Sequence, residues 1–505
     1  MKSPLKKPFN DPAGAIKELK TRPKEYWEKR GERAALKLFH EAAQRVPAYK
    51  DFLKKNKIDP STIKTIQDFK KIPPVDKDNY LRQYPLRALC FDGKLNNAPR
   101  TIYATSGSTG QPFYFPHTRL QDWQYAAVAE LYLRTNFQID KKRTLYINAF
   151  PMGAWIGGVF TYEAIRLVAE RGEYKLSVIS PGIHKEEVIK IVRRLGPQFD
   201  QVIIGAYGPF LKDIIDDGVD AGVQWKKYNL KFVFSAEVIT EKFRDYIARK
   251  TGLKNCMLDT LNHYGTVDLG TMAYETPLSI FCRREALTRK GLRKELFGDS
   301  LKVPTLTQYI PELFYFEEVD NRLYCTAEGG LPLIRYDLKD VGNVISYDEM
   351  FEKFNSQGRD LKKELKEGDI AATVWKLPFV QVFERTDFSV SFYAFQVYPE
   401  TIRRALQHRE FASKITGKFT MSVEHDKKQN PLLTIHIEAR DTTAQTKAFA
   451  SKLSKAVRDR LLKESSEYRE TYKEKGAKID PVIKLYDYQD PTYFIPGKKQ
   501  AWVKK

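Results

Sequence analysis

Apolar residues recur at helical spacing early in the chain, through Ala34, Leu36, Leu38, Phe39, Ala42 and Val46, and Pro47 ends that run. A short helical segment is expected over 60–71, just ahead of Ile72-Pro73-Pro74-Val75-Asp76-Lys77. From about 101 to 345 the pattern changes. Short β-rich apolar runs at 145–150, 176–179, 201–204, 231–235 and 255–261 alternate with helical stretches. This predicts an α/β fold with a mixed, largely parallel sheet flanked by helices. The stretch 351–369 carries charges that pair at helical spacings, Lys362 and Lys366 with Glu364 and Glu367 nearby, and reads as an exposed helical insertion. After Arg385 the pattern becomes a small α+β unit: strand 388–395, helix 399–409, strands 420–424 and 432–439, a long helix over 444–464, and strand 481–486. The expected organisation is a large domain over 1–383 whose first hundred residues are helical, a hinge at 384–387, and a small mobile domain over 388–505. No internal repeat is visible.

In sheets of this kind ligands gather at the carboxyl ends of the strands. Phe150, then Gly205-Ala206-Tyr207-Gly208, then Ser235-Ala236-Glu237, then Tyr264-Gly265 all fall at such ends. The run 144–162 has no charged residue and is about long enough to span a bilayer. Asn148, Pro151 and glycines at 153, 157 and 158 argue for strand, turn and buried helix instead.

Composition narrows the classes. At 505 residues with 42% hydrophobic content, the chain can bury a sizeable core. Lys and Arg total 85 against 64 acidic residues, a net +21 that favours anionic ligands such as nucleotides. The basic residues are spread out and match no nucleic-acid recognition signature, so no specific nucleic-acid partner is expected. Four separated cysteines, Cys90, Cys256, Cys282 and Cys325, exclude a zinc knuckle or disulfide framework and fit reduced thiols. The amino terminus lacks the apolar core of a secretory signal, which makes the cytoplasm the expected location. The oligomeric state stays open, a homodimer included.

Thr105-Ser106-Gly107-Ser108-Thr109-Gly110-Gln111-Pro112 carries the most chemistry. Two glycines let the backbone turn its amides inward and four hydroxyls add donors, a combination that wraps a phosphate and also occurs in ordinary surface turns. It lacks the Gly-Lys-Ser/Thr ending of a Walker loop.

The loop resembles the pyrophosphate loop of the adenylate-forming enzymes, Thr-Ser-Gly-Ser/Thr-Thr-Gly-x-Pro. Phe113 stands where Lys often follows, as in the phenylacetate–CoA ligase branch, whose amino-terminal "kiPpv.K" layout is also similar to 71–77. Further segments follow in the family's order. Phe234-Ser235-Ala236-Glu237 resembles the element whose backbone lies beside adenine. His263-Tyr264-Gly265-Thr266-Val267-Asp268 resembles the element whose aromatic ring flanks adenine and whose carboxylate helps hold Mg²⁺. The segment from Leu331 to Asp340 resembles "PlIRYrtgD", in which the last Asp accepts from the ribose hydroxyls. Glu384-Arg385-Thr386-Asp387 resembles Gly-Arg-x-Asp, where Arg contacts nucleotide and Asp387 would mark the hinge.

The resemblance implies ATP-dependent formation of an acyl-adenylate, with Thr105, Ser106, Gly107, Ser108, Thr109 and Gly110 gripping phosphates. Ser235, Ala236, Glu237, Tyr264, Gly265, Asp340 and Arg385 would hold the nucleotide, and Asp268 with Thr109 the Mg²⁺. A catalytic lysine near the chain end would be Lys498 or Lys499. The acid, aryl or otherwise flat and apolar, would sit among Phe150, Trp155, Tyr207, Gly208 and His263. Asp268 replaces Glu, Asp337-Leu338-Lys339 replaces Arg-Thr-Gly, Glu384 replaces Gly, and Ala394 replaces the glycine that lies near the pantetheine arm in CoA ligases. Three readings follow: transfer of the acyl group to CoA, transfer to another acceptor (amine, protein or cofactor), or noncatalytic binding of a nucleotide or polyanion.

Overall fold

The computed structural model describes residues 5, 7–95, 100–105, 112–154, 156–298, 303–385, 389–408, 410–411, 413–440, 445–494 and 503, with side chains at all but 100, 384 and 385. Ser106, Gly107, Ser108, Thr109, Gly110, Trp155, Asp387, Lys498 and Lys499 lie outside the described residues, as does the side chain of Arg385. The chain divides into two compact units. The first comprises Met1–Ala104, Tyr114–Ala206 and Asp213–Glu384; the second comprises Thr105–Phe113, Tyr207–Lys212 and Arg385–Lys505.

The amino-terminal region folds as helices Pro12–Thr21, Lys24–Arg45 and Pro47–Lys55. Pro47 ends one helix and opens the next at its first turn, where its missing N–H costs nothing. Strands β1 (Arg100–Ala104) and β2 (Tyr114–Thr118) pair antiparallel. Strands β3 (Thr144–Asn148), β4 (Leu176–Ile179), β5 (Gln201–Gly205), β6 (Leu230–Phe234) and β7 (Thr260–Thr266) follow. The first unit continues with β8 (Gly270–Tyr274), β9 (Thr305–Gln308), β10 (Tyr315–Val319), β11 (Arg322–Ala327), β12 (Leu333–Ile345) and β13 (Phe379–Arg385). Eleven strands form one sheet in the order β10-β11-β12-β13-β9-β8-β7-β6-β5-β3-β4.

The sheet is mixed, with parallel pairing along β4-β3-β5-β6-β7 and antiparallel pairing from β7 to β9, between β9 and β13, and from β10 to β12. Every residue of β3, β5 and β6 is buried, as expected of parallel strands covered on both faces. The helix Arg119–Phe137 starts at a capping box of Thr118 and Gln121 and buries 13 of its residues.

Three expectations are corrected. The run 255–261 begins as the short helix Cys256–Asp259, because Asn255 caps it through the Met257 N–H, and only then becomes β7. The stretch 351–369 is no exposed insertion. Its helices, Tyr347–Asn355 and Leu361–Glu367, bury Met350, Phe354, Leu361 and Leu365 in a core with Leu278, Leu292 and Phe379. The charges occupy the opposite face. Third, 388–395 is not one strand but half of a hairpin, β14 (Val390–Phe392) and β15 (Phe395–Val397).

The second unit adds helix Pro399–Leu406, antiparallel β16 (Ile415–His425) and β17 (Pro431–Ala439), helices Lys447–Glu464 and Ser466–Lys475, and β18 (Val482–Tyr486), which pairs parallel to β17. Among the described residues, no helix is long and apolar enough to cross a membrane.

Candidate active site

Strand register builds the site. Asn148 aligns with Gly205, Gly205 with Val233, and Phe234 with Asn262, so the ends of β3, β5, β6 and β7 lie in a row. Beyond β6, Ser235, Ala236 and Glu237 form a turn in which Ala236 takes a left-handed φ of 72°. The Asn262 amide donates to the Glu237 carbonyl at 3.0 Å and fixes that turn beside β7.

Tyr264 follows on β7, where the ladder with β8 shifts register between Tyr264 and Gly265. A side chain at 265 would come within 2.5 Å of the Gly270 carbonyl, so Gly265 serves the close approach of the two strands. Tyr264 Oη donates to Asp340 Oδ2 at 2.5 Å, joining β7 to β12. Asp268, just past β7, accepts from Tyr336 Oη of the same β12 at 2.5 Å. Both carboxylates are buried, and each has a phenol from the opposite element. Buried His117 holds the adjoining backbone through Nε2 and the Val267 carbonyl, 2.9 Å apart; burial lowers its pKa to about 4, so the neutral ring donates.

The shape of β12 explains this pairing. Arg335 and Lys339 both take positive φ, 49° and 60°, and the kinked strand receives the amino-terminal segment as a neighbour. Val75 donates to the Arg335 carbonyl at 3.2 Å and accepts from the Asp337 N–H at 2.9 Å. Arg335 seals the joint by pairing with buried Glu317, both oxygens at 3.2 Å, and by donating to the Ile72 carbonyl. Arg335 is therefore committed to Glu317. Lys339 reaches Asp76 at 2.5 Å and Asp337 at 3.2 Å.

This stitching delivers Lys77, whose Nζ lies 3.2 Å from Asp268 Oδ2 and 5.8 Å from the Phe115 ring centre. Lys77 is the site residue that sequence reasoning passed over. Its signal was the lysine closing the "kiPpv.K" layout.

Two residues that depart from the resembled pattern take left-handed backbone. Lys339 stands at the glycine of "PlIRYrtgD" and takes φ 60°; Ala394 stands where glycine is expected five positions before Pro399 and takes φ 66° beside Tyr393 at 47°. A two-residue turn with both φ positive normally carries Asn-Gly, so the conformation survives here without the residue that adopts it cheaply.

The remaining candidates separate. Phe150 is buried at the end of β3, and its Cε2 lies 3.0 Å from where a Cβ on Gly205 would stand. His263 points to the other face of β7 from Tyr264. It is buried 5.7 Å from the Tyr125 ring and 5.4 Å from the Tyr132 ring, and burial lowers its pKa to about 3. Thr105 belongs to the second unit; its N–H donates to the Phe113 carbonyl and its Oγ1 accepts from the Phe113 N–H, both at 3.0 Å, closing the base of the loop. Tyr207, buried against Phe210, and Gly208 at the start of helix Gly208–Asp220 also group with that unit.

No family model matches the chain. A phenylacetate-coenzyme A ligase from Thermus thermophilus is 22% identical over 240 residues, 47% of this chain and 51% of the relative. The matched part therefore spans about half the length of that curated relative. The fold is also that of a 2-hydroxyisobutyryl-CoA ligase solved with 2-HIB-AMP and CoA in the thioesterification state, at a TM-score of 0.62 and 15% identity over 97% of this chain and 91% of that one. The same ligase in its postadenylation state with 2-HIB-AMP gives 0.51 at 14% identity, over 97% and 90%.

Proposed function

We propose that this chain, whose fold is that of adenylate-forming ligases, activates a carboxylic acid as its acyl-adenylate with release of pyrophosphate, then passes the acyl group to CoA. One observation carries the reading. Tyr264 and Asp340, which the family pattern assigns to the adenine and the ribose of one nucleoside, lie 76 positions apart and share a 2.5 Å hydrogen bond. The left-handed backbone at Lys339 and Ala394 also supports it, because glycine, which the resembled pattern has at both positions, adopts that backbone most readily.

In this reading the acid's carboxylate attacks the α-phosphorus while pyrophosphate leaves in line, and charge on the phosphate oxygens must be neutralised. Tyr264 flanks adenine. Asp340 accepts from the ribose hydroxyls, and the Tyr264 phenol keeps its carboxylate oriented toward them. The 105–110 amides and hydroxyls hold the terminal phosphates, and Arg385 contacts the nucleotide. Lys498 or Lys499 brings positive charge to the α-phosphate and the attacking carboxylate, with Asp387 as the pivot that moves the small domain between half-reactions. Asp268 fits poorly as the Mg²⁺ ligand: its Oδ2 already accepts from Tyr336 and faces the Lys77 ammonium at 3.2 Å, which would repel a divalent ion. Among the described residues no cluster of three acidic, His or Cys side chains forms a metal site. We therefore derive no step through a metal, and assign Asp268 to orienting Lys77 as the phosphate-neutralising cation.

The acceptor has a second reading, favoured by Ala394. Its Cβ projects from a hairpin turn where CoA ligases carry glycine, which narrows the passage for a pantetheine arm. ATP–pyrophosphate exchange across a panel of carboxylic acids, with and without CoA, tests both. Acid-dependent exchange and a CoA-dependent thioester are expected. Exchange indifferent to CoA selects another acceptor, and nucleotide binding without exchange overturns the activity.

A further inference from the structure

The sheet of the second unit has two unlike faces. Phe419, Met421, Leu433, Ile435 and Ile437 share one, and all are buried. Thr420, Ser422 and Glu424 of β16 share the other with Thr434, His436 and Glu438 of β17. This second face is polar, yet Thr434, His436 and Glu438 are fully enclosed.

The segment 487–494, just after β18, is fastened to that polar face. The Gln489 N–H donates to Glu438 Oε1 at 2.8 Å, and the Tyr493 ring stacks on His436 with centroids 4.3 Å apart and planes 17° apart. His436 is itself fixed at both nitrogens. Nδ1 lies 2.9 Å from Tyr486 Oη, and Nε2 lies 3.0 Å from Ser422 Oγ. The segment is also folded on itself: Asp490 Oδ1 accepts from the Thr492 N–H at 2.8 Å, and the Asp490 carbonyl accepts from the Phe494 N–H at 2.8 Å. Phe494 is buried. The described structure resumes at Val503, which pairs in parallel with Met421 of β16.

Enclosing an imidazole and a carboxylate is a costly way to cover a sheet, which apolar side chains would cover without desolvating a charge. What hydrogen bonds and a stacked ring add is direction, because a satisfied polar network specifies one arrangement of the chain it holds. The sequence supplies the reason for such precision here. Lys498 and Lys499 fall between Phe494 and Val503, so both described ends of their segment are tied to this one sheet.

Resting on the proposed role of those lysines in adenylation, we propose that His436 and Tyr493 are positioning residues for them. The stack touches no substrate. It fixes the start of the lysine-bearing segment, and displacing a catalytic group by about 1 Å can cost roughly a hundredfold in rate.

The test uses the full-length protein and an acid that supports ATP–pyrophosphate exchange. Tyr493→Ala should lower kcat by about tenfold or more while KM for ATP and for the acid stays within about twofold. Tyr493→Phe keeps the ring and should keep most of the rate. In the Lys498→Ala/Lys499→Ala background, Tyr493→Ala should cost little more, because residues that act through one another are not additive. If the alanine variant does not fold, Tyr493→Leu, which fills the space without a stacking ring, takes its place. A kcat unchanged by loss of the ring, a raised KM in its stead, or a loss that multiplies fully onto that of the lysine variant overturns the proposal. Exchange that needs the lysines but ignores Tyr493 overturns this inference alone. Full exchange without the two lysines, or none with any acid, removes the reading beneath it and this inference with it.

Discussion

Two polar clusters flank the β7–β8 hairpin, and they use charge in opposite ways. Glu241, Arg244, Glu275 and Arg283 form a buried tetrad: Arg244 contacts Glu241 at 3.1 Å and Glu275 at 2.8 Å, and Arg283 contacts Glu241 at 3.2 Å and Glu275 at 3.5 Å, while half-exposed Arg284 joins Glu241 at its edge at 3.1 Å. Two positive and two negative groups cancel inside the core, and all four are buried. At the strand ends, Asp268 and Asp340 each accept from a phenol, and Asp268 also faces the Lys77 ammonium at 3.2 Å. A dense, internally cancelling cluster is thus a fastening, whereas carboxylates hydrogen-bonded one by one at the strand ends lie where a ligand of such a sheet would bind. The tetrad resembles an active site more closely by composition, yet its geometry leaves nothing to offer a substrate.

This contrast predicts opposite phenotypes. The largest effect belongs to Glu275→Ala, which leaves the buried Arg244 and Arg283 sharing the single carboxylate of Glu241; a loss of about 3–5 kcal/mol of stability is expected in chemical denaturation. A change under about 1 kcal/mol would show the tetrad to be solvated and the comparison to be misdrawn. Asp340→Ala should do the reverse, raising KM for ATP by roughly tenfold or more, the scale of a lost charge-assisted hydrogen bond, with a smaller effect on unfolding. An unchanged KM would return Asp340 to the scaffold.

The histidines sharpen the comparison through pH. An unfolded histidine protonates near pH 6.5, whereas burial holds His117 to about 4 and His263 to about 3. Below pH 6.5 the unfolded chain therefore binds the extra protons. Their contribution is full above pH 6.5 and falls as pH drops toward 4 and 3, by about 1.4 kcal/mol per pH unit for each ring. His117→Gln should flatten part of that slope; an unchanged slope would remove His117 from it. The smallest effect is Ala394→Gly, which relieves a left-handed alanine and should stabilise the second unit by up to about 1 kcal/mol. If the second reading of the acceptor holds, it should also quicken CoA-dependent transfer; destabilisation would contradict the turn's strain.

Much of this was legible in the sequence where periodicity and motif agreed. The run 176–179 matches β4 residue for residue, and the ends of β3, β5, β6 and β7 align as the α/β pattern implied. The misses have physical causes. Tyr393-Ala394 lacks the Asn-Gly signature, so the hairpin read as one strand. In 351–369 the frequent charges masked Phe354, Leu361 and Leu365, whose spacing defines the buried face. The phenol partners of Asp268 and Asp340 depend on a kink in β12 that tertiary pairing with Val75 supports.

The most direct test of the central claim is a single turnover without acceptor. Purified protein, ATP and an acid that supports exchange are quenched and analysed by mass spectrometry. The account predicts an acyl-adenylate accompanied by pyrophosphate, greatly diminished in the Lys498→Ala/Lys499→Ala double variant even though ATP still binds. Formation of ADP and phosphate, or an acyl-adenylate yield unchanged in the double variant, would contradict it.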